Sequence, residues 1–340
     1  MRGGGYNVAG RSMCDGGVAL DFSLMKDVFL QYPLAHRAPL RQRRHASWGV
    51  PSLTITRREA LTRLAVLAVG SPVIGALSRE AAFALKETDQ TKFPDPLGVQ
   101  LYTLRTEMER DVAATLARVA EIGYEEVEFA GYFGHSPSEI RRFLADAGLR
   151  APSAHVAPDL VEEAWPATLE AAAAVGHDYV VVPSIPESMR TSLDDWRRTA
   201  ERLTLAAAEA RAAGLQLAYH NHDFEFREME GRTPLNVFLE TADPELVQVE
   251  LDLFWIVHAG GDPIAFIDRW PGRIPLVHAK GRTADGRMTE VGSGVIDWAE
   301  IFQHRERAGI RHYFVEHDRP GKPFQSVESS FRYLSRLETE

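Results

Sequence analysis

From residue 97 onward, the chain alternates between short apolar runs of β type and longer segments whose apolar positions recur at helical spacing. The runs cover residues 97–102, 125–129, 150–155, 179–183, 215–220, 247–253, 274–280 and 312–316. Helical patterns lie between them, for example at residues 111–122, 137–147, 165–175 and 194–213. Glycine follows such segments at positions 123, 148, 176, 214 and 309, where a left-handed helix cap favours it. Strand–helix alternation requires parallel strands. Eight strands in about 245 residues predict an α/β protein with a closed (β/α)8 barrel, the TIM barrel, over residues 85–340.

Residues 1–84 have a different character, which predicts an N-terminal extension with an export signal. Arg57 and Arg58 precede an apolar run over residues 64–77, and an A-x-A sequence at residues 82–84 offers the small residues that a signal peptidase reads. The paired arginines resemble a twin-arginine signal, which exports folded proteins. A soluble amphipathic helix over residues 58–69 is the alternative interpretation. Glycine and proline interrupt the apolar run, so it is too short for a stable membrane span.

We therefore expect a periplasmic or secreted protein with no integral membrane span after processing. Such a signal normally lies near the start of a protein, and about 55 residues precede it here, so we expect translation to begin closer to the arginine pair.

Charge and cysteine content narrow the range of partners. The formal net charge of the chain is -10. Residues 1–84 are basic, with 11 Lys/Arg and 5 Asp/Glu, whereas residues 85–340 are acidic, with 27 Lys/Arg and 43 Asp/Glu. A body this acidic would repel a phosphate backbone, which argues against a nucleic-acid partner. Cys14, the only cysteine, lies in the extension, so the barrel forms no disulfide and uses no thiol. There is no G-x-G-x-x-G after the first strand, which weakens a dinucleotide-binding interpretation.

Polar side chains stand at the end of nearly every predicted strand, although a buried parallel strand should be apolar throughout. The C-terminal ends of barrel strands converge on one mouth, where the active sites of these folds lie. The residues in question are Gln100, Tyr102, Glu128, His155, His220, Asn221, His222, Glu250, Asp252, His278, Lys280, Glu316 and His317.

Four successive strands, the fifth to the eighth, deliver His220, Asp252, His278 and Glu316 to this mouth. A single histidine at a strand end is usually a structural hydrogen-bonding residue. Several buried charges together are costly unless something pairs them, and a cation is the simplest partner. Imidazole and carboxylate ligands suit Mn, Zn, Co or Fe, and carboxylates also admit Mg. The pattern predicts one divalent metal ion.

Seven segments together resemble the xylose isomerase-like barrels, a group described as sugar phosphate isomerases and epimerases that includes ketose 3-epimerases, inosose dehydratase and endonuclease IV. The segments are residues 99–105, 126–132, 219–225, 251–252, 259–263, 277–280 and 315–316. None is specific alone, but together they are specific to the superfamily. The resemblance covers about residues 95–340 and implies a sugar substrate.

The resemblance also implies metal ligands: Glu on the fifth strand, Asp on the sixth, His on the seventh and Glu on the eighth. Asp252, His278 and Glu316 match this pattern, and His220 stands at the position of the ligand Glu. In epimerases that Glu is also one of two bases, so its replacement argues against a two-base mechanism. Trp255 stands where many relatives have histidine, and it either stacks on a sugar face or packs.

For the reaction, we expect metal-bound sugar oxygens, a polarised carbonyl and an acidified adjacent C–H bond. Glu316 and His222 are the candidate bases. Glu250 is a third, unless it faces outward or only supports another residue. Lys280 is a further candidate catalytic residue that would stabilise an oxyanion or hold a substrate carboxylate or hydroxyl, unless it forms a surface salt bridge. The residues expected to contact the sugar are Gln100, Glu128, His155 and Trp255.

Three functions are compatible with these residues. The first is a metal-dependent isomerase or epimerase of a free or keto sugar. The second is a lyase or hydratase acting on a keto-sugar or keto-glycoside, as in inosose dehydratase. The third is an exported, non-enzymatic sugar-binding barrel, against which the Asp252, His278 and Glu316 set argues. Endonuclease activity is excluded because those relatives bind a cluster of metals and need a basic groove. The expected partner is a small-molecule sugar, and the oligomeric state, including a homo-oligomer, stays open.

Overall fold

The computed structural model describes residues 96–338, in which eight parallel strands form a closed barrel. The strands are β1 (Leu97–Gln100), β2 (Glu126–Phe129), β3 (Arg150–His155), β4 (Tyr179–Val182), β5 (Gln216–His220), β6 (Val247–Asp252), β7 (Leu276–Ala279) and β10 (His312–Val315). Their order around the barrel is β1, β10, β7, β6, β5, β4, β3, β2. The predicted fold class is therefore confirmed. The predicted extension over residues 1–84, its export signal and the start of the barrel domain at residue 85 lie outside the described residues.

Helices follow the strands and cover the outside of the barrel. They are α1 (Arg105–Arg110), α2 (Val112–Ile122), α3 (Pro137–Ala147), α4 (Pro158–Glu163), α5 (Trp165–Val175), α6 (Leu193–Ala212), α7 (Pro234–Thr241), α8 (Leu253–His258), α9 (Pro263–Arg269), α10 (Trp298–Gln303), α11 (Arg305–Ala308) and α12 (Pro323–Leu334). A short antiparallel hairpin, β8 (Gly281–Arg282) and β9 (Met288–Thr289), follows β7 and was not predicted. Over residues 96–338, no helix is long and apolar enough to cross a membrane.

Local sequence explains where the main helices begin and end. Ser136 caps α3 in a reciprocal capping box with Glu139, and α3 ends at Gly148 in the left-handed conformation.

The first predicted strand extends too far, because residues 101–104 form a 3-10 helix. The Gln100 side chain accepts a hydrogen bond from the Tyr102 backbone N–H, and this turn ends the strand.

The barrel interior has an apolar layer below a polar layer. Tyr179, Val181, Ala218, Leu276 and Phe314 form a buried cluster of their own, separate from the larger core between strands and helices. Phe314 lies so close to β1 that a Cβ atom on Gly98 would stand 2.5 Å from its ring. Side chains two residues further along a strand point to the same face. The polar residues at the strand ends therefore lie directly above this apolar layer.

Candidate metal centre and active site

Contacts across the barrel show which polar side chains point inward. His155 on β3 contacts Glu250 on β6, and Glu128 on β2 contacts His278 on β7. Neither pair of strands is adjacent in the barrel, so these contacts cross its interior. Glu250 is completely buried, and the outward-facing alternative for this residue is wrong.

A first group, the histidine-rich group, consists of His155, His220, Glu250 and His278. Three imidazole nitrogens converge on Oε2 of Glu250: Nε2 of His155 at 2.6 Å, Nδ1 of His220 at 3.1 Å and Nε2 of His278 at 3.2 Å. The rings of His155 and His278 are stacked, with centroids 5.3 Å apart. One potential ligand atom from each of the four residues lies within 4.8 Å of the other three, which is close enough for one metal ion.

A second group, the carboxylate group, consists of Asp252, His278 and Glu316. Nδ1 of His278 lies 2.6 Å from Oε2 of Glu316, so the same imidazole takes part in both groups. Lys280 fills the space between the carboxylates. Its Nζ lies 2.9 Å from Oδ2 of Asp252, 2.7 Å from Oε2 of Glu316 and 2.9 Å from Oδ1 of Asp318. Lys280 is buried, so it does not form the surface salt bridge that the sequence left open.

The four ligands that the sequence predicts are thus brought to one mouth but divided between two groups. Asp252, His278 and Glu316 lie together. His220 joins His278 in the histidine-rich group, and its Nε2 atom is 3.8 Å from Oδ2 of Asp252.

Glu128 lies at the base of the site and is fixed by its neighbours. The Gln100 amide donates to Oε2 of Glu128 at 2.6 Å, and the Ser153 hydroxyl donates to Oε1 at 2.5 Å. Nε2 of His278 lies 2.7 Å from the same Oε2 atom. Gln100 and Glu128 are both fully buried, so in this structure they hold each other and His278.

His222 and Trp255 form the rim of the site. Their rings contact each other with centroids 5.5 Å apart, and His222 also stacks on Phe224. Nδ1 of His222 and Nε1 of Trp255 are buried and have no hydrogen-bond partner in the described protein. The His222 backbone N–H donates to Glu225, which fixes the turn that presents the ring. Two unsatisfied ring nitrogens at the rim are suited to contact a polar ligand.

Burial and charge shift the titration of the histidines in opposite directions. Burial lowers the pKa of His220 to about 3, in spite of the nearby Glu250 carboxylate. Burial also lowers the pKa of His278, but the carboxylates of Glu250, Glu316 and Glu128 outweigh it and raise that pKa well above its usual value. His220 is therefore neutral and able to bind a metal, whereas His278 holds a proton until a cation replaces it.

The carboxylates are also shifted in opposite directions. Burial raises the pKa of Asp252 to about 6, although the Lys280 ammonium opposes this. Burial likewise raises the pKa of Glu316, but Lys280 and His278 outweigh it and hold that pKa well below its usual range. Glu316 is therefore ionised near neutral pH.

The donor set fits a divalent cation. Oε1 of Glu250 is buried without a hydrogen-bond partner, although a carboxylate in such a position normally has one. Imidazole nitrogens and carboxylate oxygens together suit Mn, Zn, Co or Fe. Negative charge is costly to bury unless it is paired, and a cation bound here would pair with these carboxylates.

Asp318 was not among the polar residues that the sequence placed at the mouth, and Asn221 was, but without a role. Asp318 binds Lys280, and Asn221 fixes Asp252 by accepting a hydrogen bond from the Asp252 backbone N–H at 3.0 Å. Asp318 stands two residues after Glu316, so the same strand alternation that selected Glu316 could have found it. Asn221 could not be assigned in this way, because its role depends on the distance between β5 and β6.

Comparison with known families agrees with the barrel fold. The family model described as the xylose isomerase-like TIM barrel matches residues 116–337. The chain belongs to this family. The match runs from within α2 to just beyond α12, so it includes every strand from β2 to β10 and all the residues of both groups. The resemblance stated from the sequence is therefore confirmed.

Individual relatives fall into two functional types. The chain is 25% identical to the inosose dehydratase of Lacticaseibacillus casei over 256 residues, which cover 62% of this chain and 85% of that protein. It is similar in structure to a sugar phosphate isomerase/epimerase from Parabacteroides distasonis, with a TM-score of 0.64, 29% identity, and coverage of 71% of this chain and 93% of that one. An L-ribulose 3-epimerase shares the fold at 19% identity and a TM-score of 0.56, covering 71% of this chain and 93% of that one.

Proposed function

We propose that this protein is a metal-dependent enzyme that removes a proton next to the carbonyl of a free or keto sugar, as an isomerase or epimerase. The observation that carries the proposal is the meeting of two buried histidine–carboxylate groups at the barrel mouth, beside two unsatisfied ring nitrogens. The relatives named for sugar isomerisation and inosose dehydration support a small sugar as the substrate.

The resemblance assigns the metal to His220, Asp252, His278 and Glu316, and the two groups together contain all four residues. When bound, a divalent metal would polarise a carbonyl and stabilise the enediolate that follows proton removal. Glu316 is ionised and would accept the proton. His222, whose Nδ1 atom has no partner, is the alternative base.

The remaining residues would orient the sugar and stabilise its charge. The Lys280 ammonium would donate a hydrogen bond to the developing oxyanion. Trp255 would stack on the sugar face, with its indole N–H directed to a hydroxyl. His155 and Glu128 lie deeper, where they would line the pocket floor, and Gln100 would hold Glu128 in place.

A lyase acting on a keto-sugar or keto-glycoside is the second candidate. It is favoured by the inosose dehydratase relatives and by His220, which replaces the second carboxylate base of the epimerases. In such an elimination, one group removes the proton next to the carbonyl and then protonates the leaving hydroxyl or alkoxide on the neighbouring carbon. A single base is enough for this sequence of steps, and an enone is the product.

Nuclear magnetic resonance in D2O separates these reactions. Purified protein loaded with Mn2+ or Co2+ would be incubated with free sugars, inososes and keto-glycosides. An isomerase or epimerase exchanges a C–H beside the carbonyl and keeps every oxygen, whereas a lyase releases water or an alcohol. A protein that binds sugars without either change would be a sugar-binding barrel, and the enzymatic proposal would be wrong.

We also propose export through the twin-arginine route. A fusion of residues 50–90 to a reporter should leave the cytoplasm, and replacing Arg57 and Arg58 by lysine should keep it inside, because the pathway reads the arginine pair. Fractionation of cells that express both fusions measures this. Retention of the unmutated fusion in the cytoplasm would contradict the proposal.

A further inference from the structure

The two groups differ in which cation already lies beside them. In the carboxylate group, the Lys280 ammonium contacts the Oδ2 atom of Asp252 and the Oε2 atom of Glu316. These are oxygens that a metal would need, and a divalent cation bound to them would stand next to the ammonium. Like charges at such separations repel strongly inside a protein. The position between Asp252 and Glu316 is thus already filled.

The histidine-rich group contains no lysine or arginine, and the proton that His278 holds is one that a bound metal would displace. The ion-pair partners of Glu250 in the described part of the chain are the imidazoles of His155, His220 and His278. These three nitrogens approach one carboxylate oxygen from three different strands, and the other oxygen of Glu250 is buried without a partner. Three imidazoles and one carboxylate form a complete ligand set for Zn, Mn, Co or Fe.

The carboxylate group then explains how two of these histidines are oriented. A metal-binding histidine usually directs its second ring nitrogen to a carboxylate or carbonyl, which fixes the tautomer and the ring. His278 directs Nε2 to Glu250 and Nδ1 to Glu316. His220 directs Nδ1 to Glu250, and its Nε2 faces Asp252 at 3.8 Å. Each carboxylate thus lies behind one of the imidazoles.

We propose that the metal is bound by His155, His220, Glu250 and His278, and that Asp252 and Glu316 are positioning residues for His220 and His278 that also hold Lys280. This inference rests on the proposed function, which requires a metal. The proposed ligand set differs from the one that the family resemblance implies. It adds His155 and Glu250, and it removes Asp252 and Glu316 from direct coordination. It leaves Glu316 and Lys280 on the side that faces the sugar.

The test is a set of metal affinities, measured by competition between the protein and a chromophoric chelator for Co2+ or Zn2+. Glu250→Gln and Asp252→Asn form a matched pair, since each removes one charge from β6 at nearly constant size. Loss of an outer partner such as Asp252 should weaken binding by about 10–100-fold. Glu250→Gln and His155→Asn should weaken it further, because each removes a ligand. His258→Asn, an exposed histidine on α8, is the control and should bind like the wild type.

Circular dichroism establishes that each variant is folded, and His155→Asn decides the question if Glu250→Gln does not fold. A His155→Asn protein with wild-type affinity, or an Asp252→Asn protein weakened at least as much as Glu250→Gln, would overturn the inference. Those results would leave the metal-dependent function standing with the ligand set of the family. A wild-type protein that binds no metal would instead contradict the proposed function itself.

Discussion

Replacing Glu316 by glutamine is expected to lower kcat by about 10²–10⁴-fold, the usual cost of losing general acid–base catalysis. Glutamine keeps the size of the side chain and an oxygen toward His278, but it cannot accept a proton. The affinity for metal should fall much less than kcat, because Glu316 contacts His278 rather than completing the histidine-rich group. Steady-state kinetics and metal titration of the same preparation measure the two effects separately.

His222→Asn is the companion variant, since it removes the alternative base. If Glu316 is the base, His222→Asn should alter KM more than kcat, because the ring then only contacts substrate at the rim. A Glu316→Gln enzyme with unchanged kcat, together with a His222→Asn enzyme that has lost activity, would assign the proton transfer to His222. The elimination reaction with a histidine base would then be the leading function.

Replacing Lys280 by methionine is expected to destabilise the metal-free protein by about 3–5 kcal/mol, the cost of removing one partner from a buried ion pair. The ammonium is within 3 Å of Asp252, Glu316 and Asp318, so its loss removes a buried cation from three carboxylates and leaves Glu316 with His278 alone. Methionine keeps most of the length and the apolar stem. Urea unfolding in the presence of a chelator measures the change in the free energy of unfolding.

Arg118→Met is the matched control for Lys280→Met. Arg118 pairs with Glu121 on the exposed face of α2, and water screens both charges. This substitution should change the urea midpoint little. Equal effects of the two substitutions would show that Lys280 does not hold the carboxylates together, and the argument that it excludes a metal from Asp252 and Glu316 would fail with it.

The sequence predicts the barrel well because its signals are local. Alternating strand and helix patterns, together with glycines that end helices at Gly123, Gly148 and Gly176, identify the elements without any tertiary information. The inward direction of the strand ends also follows from a period of two residues. His155, His220, Asp252 and His278 could therefore be placed at one mouth before the structure was known.

The division of these residues into two groups could not be predicted. It depends on distances across the barrel, such as that between His155 and Glu250, which join residues far apart in the sequence. The alternation in β6 places Glu250 on the same face as Asp252. It could not show which residues Glu250 contacts across the barrel, so its role stayed open in the sequence. The sequence also left open whether Lys280 is buried or at the surface. Burial of its ammonium requires Asp318, which was not among the polar residues predicted at the mouth.

The most direct test of a metal-assisted proton abstraction is solvent exchange measured before and after metal removal. The wild-type protein would be stripped with a chelator, divided, and reloaded in part with Mn2+ or Co2+. Each portion would be incubated in D2O with a sugar that the loaded protein converts. The account predicts deuterium at the carbon beside the carbonyl with the loaded protein, none with the stripped protein, and recovery on reloading. Exchange at the same rate in the stripped protein would contradict it.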